Sequence, residues 1–133
     1  MGQKVDPRGL RIGIIKTWNS NWFAQGKDYL NNLHEDLKIK EYIKKNYYNA
    51  GVSNIYIERN SATEVTVIVE IAKAGVLIGR KGEEIEALRL KLEKMTGKKV
   101  RAKALEVKVP NKSAQLVAEN IATSIEKRVA YKR

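Results

Sequence analysis

Apolar residues in positions 1–27, among them Trp18, Trp22 and Phe23, follow no sustained period, so that stretch reads as an irregular arm. Asp28 suits a helix N-cap, and Leu30, Leu33, Leu37, Ile43 and Tyr47 then recur at near-helical spacing. Gly51 is placed to stop that helix in a left-handed conformation. Alternation follows. Ile55 and Ile57 share one side of a first strand, Val65, Val67, Val69 and Ile71 one side of a second, and Asn60-Ser61-Ala62-Thr63 reads as the turn between them. The period changes again at Ala74, where a short helix runs to Ile78. Gly79-Arg80-Lys81-Gly82 interrupts it, and a longer helix from about Glu83 to Met95 carries Ile85, Leu88, Leu92 and Met95 on one stripe. Val100, Ala102 and Ala104 alternate with Lys99, Arg101 and Lys103 in a further strand. A parity switch at Leu105 suggests a bulge, Pro110 ends the strand, and Ser113 is placed to cap a last helix carrying Val117, Ile121 and Ile125. Without repeats or linkers, this is one α+β domain.

The chemistry concentrates in Ile78-Gly79-Arg80-Lys81-Gly82-Glu83-Glu84-Ile85. Glycines on either side of two cations let the backbone turn tightly and approach a sugar–phosphate chain closely. The helix that follows offers unpaired N–H groups and the positive end of its dipole. A plain helix–helix turn also uses glycines, but two cations between them and isoleucines on both sides favour phosphate. In this frame the loop resembles that of the KH fold, which clamps about four nucleotides of single strand. The helix before the first strand marks the type II arrangement. The resemblance implies a three-stranded mixed sheet packed against helices, at 28–110, preceded by a basic arm at 1–27 and followed at 111–133 by an extra helix and the start of a further domain.

Charge supports this partner class. The net charge is +11 over 133 residues. Positions 1–20 carry +3, positions 21–97 only +1, and positions 98–133 carry +7. Excess cations at the two ends attract polyphosphate and release its counterions. The candidate RNA-binding residues are therefore Gly79, Arg80, Lys81 and Gly82 in the loop, Lys4, Arg8 and Arg11 in the arm, and Lys99, Arg101 and Lys103 on the strand. Lys108, Lys127, Arg128, Lys132 and Arg133 extend them towards the end of the sequence. Trp18, Trp22 and Phe23 are expected to anchor the arm to protein rather than to stack on bases, and Tyr47 and Tyr48 to pack on a helix face. Cysteine is absent, which removes thiolate chemistry and the usual zinc sites. His34 is the only histidine and lies among charged residues. No cofactor, metal or catalytic group is expected, and the loop lacks the Lys-[Ser/Thr] ending of a Walker motif. No apolar run approaches the ~18 residues of a spanning helix, and the opening is no signal peptide.

Positions 1–13, from Met1-Gly2-Gln3-Lys4 to Arg11-Ile12-Gly13, together with positions 33–43, the loop, and Leu116-Val117-Ala118-Glu119-Asn120-Ile121-Ala122, resemble in order the third small-subunit ribosomal protein family of bacteria and organelles. That resemblance implies a non-catalytic constituent of the subunit head. It would bind rRNA, help form the mRNA entrance and contact the tenth and fourteenth proteins of the subunit, on a cytoplasmic or organellar ribosome. Lys132 and Arg133 would match the first basic residues of the entrance. Asp6 departs from the family, where this position is commonly not acidic, which implies a slightly weaker arm–RNA contact. The family continues into a second α/β domain beyond the matched stretch, so the chain is expected to be a fragment or a shortened protein. The alternative from the residues alone is a free KH chaperone or regulator of single-stranded RNA.

Overall fold

The computed structural model describes residues 2–129. Its elements are α1 (Pro7–Arg11), β1 (Ser20–Asn21), α2 (Gly26–Asn46), β2 (Val52–Glu58), β3 (Glu64–Ile71), α3 (Ala74–Ile78), α4 (Glu83–Thr96), β4 (Lys99–Glu106) and α5 (Ala114–Glu126). The strands form one sheet in the order β1-β2-β3-β4, with β2 antiparallel to β3 and the outer pairs parallel. Alternation explains the layering. Ile57, Val65, Val67, Val69, Ile71 and Val100 turn to one face and pack with Ile39 and Ile43 of α2, Leu77 of α3 and Leu88 and Leu92 of α4. Apolar burial over that single face drives the assembly.

The arm is more ordered than its sequence suggests. Pro7 opens a single helical turn whose first N–H groups are met by Asp6, which accepts from Arg8 N–H at 2.9 Å. Asp6 thus has a local structural role. Further on, the arm adds a fourth, two-residue strand to the expected three, with the N–H of Ile57 donating to Asn19 carbonyl at 2.9 Å.

Other expectations change as well. The buried stripe of α2 is Asp36, Ile39 and Ile43, while Leu30 and Leu37 are exposed, because Asp36 is drawn inward to an arginine. α2 ends at Asn46, and Gly51, at φ +75°, instead closes a following 3₁₀ turn over Tyr48–Ala50. No bulge occurs at Leu105, since β4 stays in register with β3 from Lys99 to Glu106; the irregularity lies in β2 between Val52 and Asn54. Ser113 stands at the N-cap position of α5 but caps nothing, its hydroxyl sharing a 2.8 Å hydrogen bond with Ser53 instead. Met95 is exposed, as are Val117, Ile121 and Ile125 on α5, where Leu116 is the buried residue.

Candidate nucleic-acid interface

The loop between α3 and α4 uses its two glycines differently. Gly79 has φ +72° and ψ −173°, and a Cβ there would lie 2.6 Å from Glu84 Cγ. No other residue fits without displacing the first turn of α4. Gly82, at φ +86°, serves as the N-cap of α4 without a side-chain cap, and its would-be Cβ meets only Ile85 at 4.0 Å. Lys81 between them is itself left-handed, at φ 54°. The backbone is thereby folded so that Arg80 and Lys81 stand exposed, and among the described residues neither forms an ion pair. The N-terminus of the 14-residue α4 lies next to them without a side-chain cap, the Glu83 N–H donating to the Arg80 carbonyl. Glu84 is held beside Gly79 and near Tyr47, whose hydroxyl burial and the Glu84 charge push up in pKa. Glu86 is engaged sideways by Arg89, whose hydrogen bonds hold its carboxyl below the usual range.

The strand cations are not gathered at this loop. Lys99, Arg101 and Lys103 project from the sheet face opposite the helices, because Val100, Ala102 and Ala104 face the core. α3 follows the C-terminal end of β3, so the loop lies at that end of the sheet, and Lys99 begins β4 at the other, about 23 Å away along the strand. Lys99 and Arg101 also share one carboxylate, Glu64, at 3.7 and 3.6 Å, leaving Lys103 as the strand cation without an ion pair among the described residues. Lys108 follows β4 at the loop's end of the sheet. Lys4, Arg8 and Arg11 are exposed on the arm, Lys127 and Arg128 at the end of α5. Lys132 and Arg133 lie outside the described residues.

One cluster escaped the sequence pattern. Asp36 of α2, 2% exposed, accepts from Trp22 Nε1 at 2.7 Å and from Arg59 Nη2 at 2.6 Å. Arg59 also reaches Glu35 at 3.0 Å, and Glu35 takes Lys98 at 2.8 Å. Burial pushes the Glu35 carboxyl up in pKa, but the hydrogen bonds from Lys98 and Arg59 outweigh it and hold the group below its usual range. Trp22, tilted against Tyr29 with ring centroids 5.6 Å apart, anchors the arm as expected, whereas Trp18 and Phe23 are exposed. Tyr47 packs on the core; Tyr48 is exposed.

Residues 38–112 match the KH domain family. The chain belongs to that family. Its loop, α3, α4 and flanking parallel strands all lie inside the matched span, and the α2–β2–β3 lead makes it the type II arrangement. This KH domain is also similar over all 133 residues to proteins named small ribosomal subunit protein uS3. Identity is 59% with that of Fusobacterium nucleatum, 59% with that of Carboxydothermus hydrogenoformans and 56% with that of Dictyoglomus turgidum. The chain spans 61%, 60% and 54% of those relatives' lengths. No helix among the described residues is long and apolar enough to cross a membrane.

Proposed function

We propose that this KH domain is part of a non-catalytic constituent of the small ribosomal subunit that binds rRNA. The observation that carries the reading is the loop itself: two exposed cations, without an ion pair among the described residues, on a backbone folded by Gly79 and Gly82, beside the N-terminus of α4 that no side chain caps. Such an arrangement neutralises phosphates while reading no base directly. The likeness to uS3 proteins along the whole chain supports the ribosomal setting. Within it, Gly79, Arg80, Lys81 and Gly82 hold single-stranded RNA. The exposed cations Lys4, Arg8, Arg11, Lys103, Lys108, Lys127 and Arg128 contact rRNA, with Lys99 and Arg101 doing so after exchange of Glu64 for phosphate. The finer reading places the domain in the subunit head beside the mRNA entrance, with the tenth and fourteenth small-subunit proteins as neighbours.

Sedimentation of a lysate containing the tagged chain tests the assignment. Co-migration with small subunits that survives moderate salt is the expected result. Confinement to the top of the gradient, both for this chain and for the chain extended by the remaining part of a uS3 relative, would overturn it and favour a free RNA-binding protein.

A further inference from the structure

A groove lies between the arm, α2, the outer edge of β2 and α5. Its volume is about 1650 Å³, beyond the roughly 300–1,000 Å³ of small-ligand pockets. Five cations line it, Arg8, Lys16, Lys40, Lys44 and Lys45, against two acids, Glu41 and Glu119. Lys44 is 3.4 Å from Glu119, and Lys40 donates to the Ser20 hydroxyl at 3.0 Å. Arg8, Lys16 and Lys45 form no ion pair among the described residues, in contrast to the strand cations tied to Glu64. Trp18 and Tyr48 open into the same groove, 59% and 44% exposed. Aromatic faces among free cations suit unpaired bases with their phosphates.

The floor is the stretch of β2 that the two-residue β1 leaves uncovered. An open strand edge invites an extended polypeptide. Here, however, the N–H of Ile55 already donates to its neighbour Asn54 Oδ1 at 2.9 Å, and the Asn54 amide donates to Asn19 Oδ1 at 3.2 Å. The next outward donor after Ile57 is therefore capped, which disfavours strand addition.

We propose that this groove is a second RNA-binding surface, taking an RNA backbone with unpaired bases through Arg8, Lys16 and Lys45 and stacking on Trp18 and Tyr48. It rests on the RNA-binding reading above but not on the loop. The groove follows the β2 edge of the sheet, whereas α4 packs on β4, so both surfaces are open to RNA at once.

The test titrates the whole chain with a labelled RNA hairpin bearing an unpaired loop, and separately with a single strand of about four nucleotides. Lys16→Gln/Lys45→Gln removes two exposed cations. At ~0.15 M salt it should weaken hairpin binding about tenfold and reduce the slope of log affinity on log salt by about 1.4, while the short strand binds as before. Unchanged hairpin affinity and slope would overturn the groove. So would loss of polyglutamate binding in this variant with hairpin binding intact, which would assign the groove to an acidic polypeptide. Arg80→Gln/Lys81→Gln is the separate arm. If it leaves the short strand's affinity unchanged, the loop reading fails while the groove result stands.

Discussion

Replacing Asp36 by alanine should be the most damaging single change outside the apolar core. The carboxylate is 2% exposed and the Arg59 side chain 5% exposed. Asp36 accepts from Arg59 at 2.6 and 3.2 Å and from the Trp22 indole at 2.7 Å. Removing one partner of a buried ion pair costs about 3–5 kcal/mol, because the other charge stays desolvated. Glu35 at 3.0 Å and the Asn32 carbonyl at 3.4 Å still face the guanidinium, which places this case at the lower end. A loss of about 3 kcal/mol is a large share of the 5–15 kcal/mol of an ordinary domain and should lower Tm by about 10 °C at this size. The assay is urea unfolding followed by circular dichroism, with tryptophan emission reporting release of the arm. Asp36→Leu/Arg59→Met should recover most of the loss, since it leaves no charge stranded. A single-variant cost below about 1 kcal/mol, or a double variant as unstable as the two singles summed, would refute the claim that the pair works as a buried unit.

Gly82→Asp should keep the fold with a small loss of Tm, because its Cβ has room although φ is +86°, and lose single-strand affinity, because a carboxylate meets phosphate; Gly79→Ala should lower Tm much further, because its Cβ also strikes Glu84. Titration and thermal melts of both separate these effects, and equal behaviour would refute the division of labour. Glu64→Gln releases Lys99 and Arg101 and should tighten RNA binding with a steeper salt slope, by about 0.7 for each phosphate gained; an unchanged slope would count against β4 as an RNA surface. Glu35, held below its ordinary value of 4.5, stabilises the fold above that pH and loses its contribution as pH falls through its lowered value. Urea midpoints from pH 6 to pH 3 should therefore drop less steeply in Lys98→Met than in the parent chain (those two pH values being about the outer limits of the carboxylate range), and equal slopes would refute the coupling.

Strand identity was legible because a half-buried sheet forces alternation, and Val65, Val67, Val69 and Ile71 obey it with all four fully buried. The phase of α2 was not. Hydropathy puts leucines inside, but the helix rotates to bury Asp36, whose partner Arg59 is 23 positions away in the β2–β3 hairpin. A charge that is buried because of a distant opposite charge leaves no periodic signal. The strand from the arm was equally hidden: two residues carry no alternation, and their place beside β2 follows from the anchoring of Trp22 on Asp36. On α5 the spacing of Val117, Ile121 and Ile125 gives the helix correctly but not its buried residue, which is Leu116, against the Gly51 turn.

The loop shows why a motif match and a mechanism are different statements. Spacing alone makes Gly79 and Gly82 equivalent. The structure makes the first a packing requirement, set by the side chain of Glu84, and the second a cap whose outer side is open. Only the second is positioned for a ligand to approach where a side chain would stand. Net charge needs the same resolution. Of the three cations on β4, two are held by Glu64, while three in the groove and two in the loop form no ion pair among the described residues. Counterion release depends on cations free to meet phosphate, so the salt slope should follow the exposed cations without an ion pair, these five and Lys103 among them, more closely than the total of +11.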